Sequence, residues 1–135
     1  MFVVDASVTL AWCFSDEGSA AADLALDRLE HEDAIAPPIW PLEVANGLRT
    51  AERRGRLDLA DLARVRDLLL SLLVEVEAVD LRAALGEVTE IARSLDLTAY
   101  DAAYLVLAAR RGIPLATADD RLKRASAAAG VALVG

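Results

Sequence analysis

One stretch of the chain, from Leu97 to Leu122, limits the possible folds more than any other. Every residue between Ala99 and Ala109 is apolar or aromatic except Asp101. A helix that is apolar on all sides is expected to be surrounded by protein. A carboxylate near its start is then partly desolvated, which is costly unless the group is paired or binds a cation. Asp101 is therefore the first candidate functional residue.

The residues at the two ends of this helix predict its limits and the next element of the chain. Thr98 is suited to capping the helix and Gly112 to ending it. Ile113 to Thr117 is then predicted to be a short buried strand, and it leads directly to Asp119. One acid thus begins the buried helix, and a second acid follows the strand that leaves it.

The rest of the chain alternates short apolar runs with segments of helical periodicity. Strands are predicted over Phe2–Val4, Ala34–Ala36, Val74–Val79 and Val131–Val134. Helices are predicted over Val8–Phe14 with Ser7 as the cap, Ser19–Glu30, Pro41–Arg54, Asp58–Leu73, Asp80–Ser94 and Arg121–Ala128. Such alternation predicts an α/β three-layer sandwich with a mainly parallel central sheet. At 135 residues, we expect residues 1–135 to form a single domain.

Composition and terminal sequence bear on the location of the protein. No apolar run approaches the roughly 20 residues that a membrane helix needs. The sequence after Met1 has no basic segment typical of a signal peptide. Cys13 is the single cysteine, so no internal disulfide can form. These features predict a cytoplasmic protein that does not contact a membrane.

The formal net charge of −8 argues against a broad nucleic-acid-binding surface. The basic residues are nonetheless clustered, and all but Lys123 are arginine, which suits bidentate phosphate contacts. The clusters are Arg49, Arg53, Arg54 and Arg56; Arg110 and Arg111; and Arg121, Lys123 and Arg124. Most of them are interpreted as solvated helix faces. Either a locally basic groove or a basic protein partner remains compatible with the acidic total.

Four acids map to one rim of the predicted sheet, where ligands of parallel sheets collect. Asp5 and Asp119 follow strands, whereas Glu43 and Asp101 lie in the first turns of helices. Each has an ordinary explanation: a turn for Asp5, a cap for Asp119, the helix dipole for Glu43 and a capping box for Asp101. Their common position at one rim is not explained by these separate roles.

Convergence of these acids has a chemical consequence. Two like charges about 4 Å apart repel by roughly 4 kcal/mol at an effective dielectric near 20. The group then needs raised pKa values or a bound cation. Oxygen ligands without histidine or cysteine favour Mg²⁺ or Mn²⁺. Such an ion commonly binds phosphate oxygens and activates water for hydrolysis.

The scarcity of histidine in the sequence excludes some catalytic mechanisms. His31 is the only histidine and lies in a charged segment, so a two-histidine ribonuclease is excluded and a Ser-His-Asp triad is disfavoured. Two rival functions stay open. One is a phosphatase or phosphotransfer domain with Asp5 as nucleophile, and the other is a noncatalytic module whose acids bind a basic peptide. Ser7 and Thr117 lack an obvious general base, so each is interpreted as a cap or a supporting ligand.

The order of these motifs resembles that of a known family. Val3-Val4-Asp5-Ala6-Ser7, Pro41-Leu42-Glu43 with Asn46, Asp101-Ala102-Ala103-Tyr104 and Thr117-Ala118-Asp119 resemble the motifs of PIN-domain nucleases. The small format resembles VapC-type toxins of type II toxin–antitoxin pairs.

The resemblance implies an endoribonuclease that depends on Mg²⁺ or Mn²⁺ and hydrolyses RNA phosphodiesters. Asp5 and Asp101 would be the principal metal ligands, and Glu43 and Asp119 would complete the site directly or through water. Because Asp120 follows Asp119, either residue can be the fourth acid. Ser7, Asn46 and Thr117 would be supporting polar groups. The resemblance also implies a homodimer and a VapB-type antitoxin partner.

Overall fold

The computed structural model describes residues 1–135, which form a parallel sheet with helices on both faces. The strands are β1 (Phe2–Val4), β2 (Ala34–Ala36), β3 (Val74–Val76) and β4 (Leu115–Ala116). The helices are α1 (Ala6–Cys13), α2 (Ala20–Leu29), α3 (Trp40–Arg53), α4 (Leu59–Ser71), α5 (Leu81–Ala83), α6 (Thr89–Leu95), α7 (Ala99–Arg111) and α8 (Asp120–Ala129), and a π-helical segment, Ala84–Val88, joins α5 to α6. None of the helices combines the length and apolar character needed to cross a membrane.

The sheet has the strand order β3-β2-β1-β4, and every pairing is parallel. Val3 of β1 lies opposite both Ile35 of β2 and Leu115 of β4. The central position of β1 explains its uninterrupted apolar sequence, since both of its faces are covered. The predicted α/β class and parallel sheet are confirmed.

Alternate residues of the strands enter two separate cores. Phe2 and Val4 pack with Val8 and with alanines of α2 on one face. Val3 packs with residues of α7 and α8, including Leu105, on the other. This period-two division places helices on both sides of the sheet and confirms the three-layer arrangement.

The apolar helix α7 is buried through its centre but not at its ends. Ala102 and the run from Tyr104 to Ala108 are buried. Tyr100, in the first turn, is 59% exposed, and Ala109 near the last turn is also exposed. The expectation of protein on all sides is therefore wrong for the two terminal turns, which extend beyond the layers that cover the helix.

Three predicted strands are shorter in the structure. Val74–Val79 pairs only over Val74–Val76, at the sheet edge beside β2, and Val76 is exposed. Ile113–Thr117 pairs only over Leu115–Ala116. Val131–Val134 is not a strand but a single parallel bridge between Leu115 and Leu133. Val74–Val76 has a pairing partner on one side only, whereas Leu115 pairs with β1 on one side and bridges Leu133 on the other.

The segment Asp80–Ser94 is not the single regular helix that its periodicity predicts. Asp80 caps it as expected, but a π-helical segment interrupts it at Ala84–Val88. Gly86 lies within that segment, where its low helix propensity weakens the regular pattern. The irregular turn carries Val88 into a small core with Ala102 and Val106 of α7. Packing against α7 thus outweighs regular helical hydrogen bonding here.

Candidate active site

The candidate site lies at the carboxyl ends of β1 and β4, which are neighbours in the sheet. Asp5 follows the last residue of β1, and Thr117 follows the last residue of β4. The amide of Asp5 donates to the carbonyl of Ala116 at 3.1 Å, which ties the two strand ends together. Residues that are 112 positions apart in sequence therefore meet at this rim.

Asp5 is a buried carboxylate with hydroxyl and amide donors on both oxygens. Asp5 is only 4% exposed. Oδ1 accepts from Ser7 Oγ at 2.7 Å and from the amide of Val8 at 3.0 Å, and Oδ2 accepts from Thr117 Oγ1. Asp5 is thus the N-cap of α1, and the prediction that Ser7 caps this helix is wrong. The Ser7 hydroxyl instead orients the Asp5 carboxylate.

Ser7 and Thr117 also fix the loop after β4. Ser7 Oγ accepts from the amide of Ala118 at 2.9 Å, and Thr117 Oγ1 accepts from the amide of Asp119 at 3.0 Å. Each hydroxyl therefore donates to Asp5 while it accepts from the backbone that leads to Asp119. This network connects two of the four acids through short, directional contacts.

Glu43 is held by a residue that the sequence did not single out as functional. The Tyr104 hydroxyl donates to Glu43 Oε1 at 2.6 Å, across 61 positions of sequence. Tyr104 is buried in α7, one turn after Asp101, whereas Glu43 lies in the first turn of α3. Tyr104 follows Asp101 by three residues, so the two side chains are neighbours on the surface of α7. This spacing is the sequence feature that points to Tyr104 as part of the site.

Asp101 and Asp119 both lie at helix starts, as predicted. The amide of Asp101 donates to Thr98 Oγ1 at 3.1 Å, so Thr98 caps α7. Asp119 caps α8, accepting from the amide of Arg121 at 2.8 Å. Asp120 points away, with a side chain 84% exposed that lies 4.0 Å from Lys123. The geometry therefore favours Asp119 over Asp120 as the fourth acid.

Asn46 is exposed on the turn of α3 that follows Glu43. It lies on the same side of the helix as Glu43 by helical spacing, but none of the side-chain hydrogen bonds in the structure involves it. His31 is exposed and Cys13 is buried, as the sequence predicted. Neither belongs to the acidic rim.

Burial and mutual repulsion disturb the ionisation of three of the acids. Burial raises the pKa of Asp5 to about 6. The hydrogen bonds that Asp5 accepts lower this pKa, and the charge of Asp119 raises it by a smaller amount. Burial also raises the pKa of Glu43 and that of Asp101, and the neighbouring charges of Asp101 and Asp119, respectively, add to these increases. These couplings link all four acids electrostatically.

The four acids do not form a closed ligand set as they stand, because no three acidic, histidine or cysteine side chains are grouped closely enough to hold an ion. The donors present are nevertheless carboxylate oxygens, with hydroxyls in support and no sulfur or imidazole. Burial and like charge raise the pKa values of Asp5, Glu43 and Asp101, a cost that a cation relieves. This donor chemistry fits a hard divalent ion such as Mg²⁺ or Mn²⁺.

Comparison with known proteins decides the family. The sequence matches the PIN domain family over residues 2–128. The chain belongs to the PIN-domain family. The predicted resemblance is therefore confirmed, and PIN-domain ribonucleases generally use divalent metal ions.

Relatives place this PIN-domain protein more closely. The VapC ribonuclease Mb0985 of Mycobacterium bovis and the ribonuclease VapC9 of Mycobacterium tuberculosis are each 37% identical to it over 123 residues. Each alignment covers 90% of this chain and 88% of the relative. The crystal structure of PAE2754 from Pyrobaculum aerophilum superposes with a TM-score of 0.69 at 29% identity, over 92% of this chain and 84% of that one. The PIN-domain protein is therefore of the VapC type.

Proposed function

We propose that this PIN-domain protein is an endoribonuclease that hydrolyses RNA phosphodiester bonds as the toxin of a toxin–antitoxin pair. Its VapC-type relatives are ribonucleases by name, and the match covers nearly their whole length. The observation that supports the chemistry most directly is the electrostatic coupling of Asp5, Glu43, Asp101 and Asp119, which come from separate segments of the chain. These like charges contribute to the raised pKa values of Asp5, Glu43 and Asp101, and a bound cation would relieve that cost.

In the proposed site, Asp5 and Asp101 are the principal ligands of Mg²⁺ or Mn²⁺, and Glu43 and Asp119 complete it directly or through water. A divalent ion bound there would lower the pKa of water and stabilise negative charge on phosphate oxygens. Supporting groups are Ser7 and Thr117 for Asp5, with Asn46 as a further polar group one turn after Glu43.

Hydroxyl groups of the protein orient two of the proposed metal ligands, Asp5 and Glu43. The hydroxyls of Ser7 and Thr117 hold the Asp5 carboxylate in one rotamer, and the Tyr104 hydroxyl holds Glu43. Burial and the charges of Glu43 and Asp5 raise the pKa of Tyr104, so its phenol stays protonated and remains a donor. Arg121 lies near enough to Asp101 for its positive charge to oppose the rise in the pKa of that carboxyl. Its guanidinium can also donate to a substrate phosphate.

The rival role of Asp5 as a phosphoryl-accepting nucleophile has little structural support. Both carboxylate oxygens accept hydrogen bonds, which weakens them as nucleophiles but leaves further lone pairs for a cation. A phosphotransfer site also needs a cation such as lysine beside the nucleophile, whereas the ammonium of Lys123 lies 4.0 Å from Asp120. No specific observation favours the other alternative, a noncatalytic module whose acids bind a basic peptide.

The proposal includes partners and location. We propose a VapB-type antitoxin as the protein partner, a homodimer as the assembly and the cytoplasm as the location, where RNA is available. The support is the VapC-type family membership.

The decisive experiment is an RNA cleavage assay on purified protein with Mg²⁺, with Mn²⁺ and with a chelator. Asp5→Asn and Asp101→Asn should each reduce the rate by roughly 100-fold or more, because each removes a charged metal ligand while preserving its shape. Asp120→Asn is the matched control, since it removes the adjacent charge from the solvent-facing side of α8, and it should stay within about twofold of wild type. Full activity of both site variants, or undiminished cleavage in the chelator, would contradict the proposal.

A further inference from the structure

A polar stripe on α3 leads from the acidic rim to an arginine pair at the other end of the helix. Glu43, Asn46, Thr50 and Arg53 recur at helical spacing, and Arg54 lies beside Arg53 at the C-terminal end. Ten residues separate Glu43 from Arg53, so the stripe is about 15 Å long at 1.5 Å per residue. It therefore begins at the candidate active site and ends at a positive charge.

The arginine pair has no acidic partner in the protein. Seven of the basic residues and the N-terminal ammonium form ion pairs, among them the neighbouring Arg49 with Glu52 and Arg56 with Asp16 and Glu17. Arg53 and Arg54 take part in none of these pairs, although the chain carries an excess of acids. Both are exposed. Their guanidinium groups are therefore available to an external anion.

The surface between these guanidiniums is concave. A depression of about 400 Å³ is lined by Thr50, Arg53 and Arg54 alone, with no apolar residue. A hydroxyl and two planar guanidiniums in one recess match the oxygens of a phosphate group.

We propose that Arg53 and Arg54, with Thr50, bind a backbone phosphate of the RNA substrate at a distance from the bond that is cut. This inference rests on the proposed ribonuclease function and extends it to the path of the RNA. The strand runs from the acidic rim along the α3 stripe. A length of about 15 Å corresponds to about four or five stacked nucleotides at 3.4 Å each. Arg53 and Arg54 are thus positioning residues that act through the RNA backbone and carry no base specificity.

The charge arrangement explains how an acidic protein of this kind holds a polyanion. The rim repels RNA except where a cation is bound, so the strand needs favourable contacts elsewhere. Two guanidiniums at the far end of α3 supply such contacts without neutralising the rim. Removal of the pair should therefore weaken the binding of RNA long enough to reach it and leave shorter RNA unaffected.

The test compares Arg53→Gln/Arg54→Gln with Arg82→Gln/Arg93→Gln, a matched control that removes two exposed, unpaired arginines from α5 and α6. Binding is measured by fluorescence anisotropy in an Asp101→Asn background with Mn²⁺, so that the RNA stays intact. The probes are a single-stranded RNA of mixed sequence about 12 nucleotides long, which spans the stripe, and a trinucleotide, which does not.

We expect the Arg53/Arg54 variant to bind the long RNA about tenfold more weakly. The slope of its salt dependence should fall by about 0.7 for each phosphate that the variant no longer binds. The control variant should bind the long RNA as tightly as the Asp101→Asn parent does, and all three proteins should bind the trinucleotide equally. An equal loss in the control, an equal loss on the trinucleotide, or no loss at all would overturn the inference; the last result would point to an acidic protein partner for the pair.

The outcome is separable from that of the proposed function. Failure of wild type to cleave any RNA with Mg²⁺ or Mn²⁺ contradicts the ribonuclease proposal, whereas the binding comparison tests the arginine pair without any cleavage step. If wild type cleaves RNA and the Arg53/Arg54 variant has an unchanged KM on the long RNA, only the inference about the arginine pair is wrong.

Discussion

At the scale of single residues, structural and functional roles coincide. Asp5 caps α1 through the amide of Val8, and Asp119 caps α8 through the amide of Arg121. The ordinary explanation of Asp119 as a helix cap is therefore correct, whereas Asp5 caps α1 instead of supporting a turn, and neither cap excludes the functional role. A cap uses one carboxylate oxygen, and a carboxylate retains further lone pairs that can face a cation.

Tyr104 offers a test of how far the support of Glu43 matters. Tyr104→Phe removes the hydroxyl that donates to Glu43 and should raise the pKa of Glu43 further, because that hydrogen bond opposes the effect of burial. We expect cleavage to fall by about 10- to 100-fold at limiting divalent ion, as for other residues that orient a metal ligand. The measurement is the cleavage rate as a function of Mn²⁺ concentration.

Tyr100→Phe is the control for this change, since Tyr100 lies in the same helix but is 59% exposed. It should leave the Mn²⁺ dependence unchanged. Tyr104→Phe with wild-type activity at every ion concentration would show that Glu43 needs no orientation.

The sequence predicted the acids better than it predicted their supports. An acid that interrupts an apolar run is visible along the chain, as at Asp5 and Asp101. The contact between Tyr104 and Glu43 joins two helices that are distant in sequence, and a tyrosine in a buried helix is indistinguishable from a core residue until those helices are placed. The N-cap of α1 was misassigned because Ser7 and Asp5 both suit that role.

At the scale of elements, the order and type of most segments were predictable because their periodicity is strong. The three-residue strands β1 and β2 were placed correctly, since burial on both faces makes them continuously apolar. Edge segments were predicted too long, because local sequence does not reveal where a pairing partner ends. The π-helical segment arises from tertiary packing of Val88 and was not visible in the periodicity.

The contact between α1 and α3 positions the acids at their N-termini and depends on Gly47. A Cβ atom at position 47 would lie 2.4 Å from Cδ1 of Leu10. In Gly47→Ala the added methyl group meets the terminal carbons of the half-buried Leu10 side chain, which must turn away. Helix propensity contributes about 1 kcal/mol in favour of the variant, and overpacking costs about 1–3 kcal/mol. We expect a net loss of stability of no more than about 2 kcal/mol in urea unfolding, with cleavage reduced to the extent that α1 shifts relative to α3.

Gly86→Ala is the matched control, because a Cβ atom there meets nothing within 4 Å. That variant should be as stable as wild type or more so. Leu10→Ala added to Gly47→Ala should cost less than the sum of the two separate changes, since it removes the clashing atoms. A Gly47→Ala protein as stable and active as wild type would show that α1 and α3 tolerate the wider spacing.

At the scale of the whole molecule, the acidic rim makes the stability of the protein depend on pH and on divalent ions. Burial raises the pKa of Asp5 from 3.8 to about 6. Between these values the folded protein holds a proton that the unfolded chain has released, so this contribution to stability is fully present below about pH 4 and is lost as the pH rises through about 6. At 1.36 kcal/mol per unit, the loss from Asp5 is about 3 kcal/mol.

Asp5→Asn removes this titration and keeps an acceptor for Ser7 and Val8. In a chelator, the variant should become progressively more stable than wild type as the pH is raised from 4 to 7, and the difference should level off above that range. Added Mn²⁺ at about 1,000 times its dissociation constant should reverse the order at neutral pH, because it stabilises wild type by about 4.1 kcal/mol, which exceeds the loss of about 3 kcal/mol, whereas the variant has lost a ligand for the ion. Thermal unfolding monitored by circular dichroism measures both effects. Parallel pH curves for the two proteins would mean that the pKa of Asp5 is not raised by folding. Equal stabilisation of both proteins by Mn²⁺ would mean that Asp5 does not bind the ion.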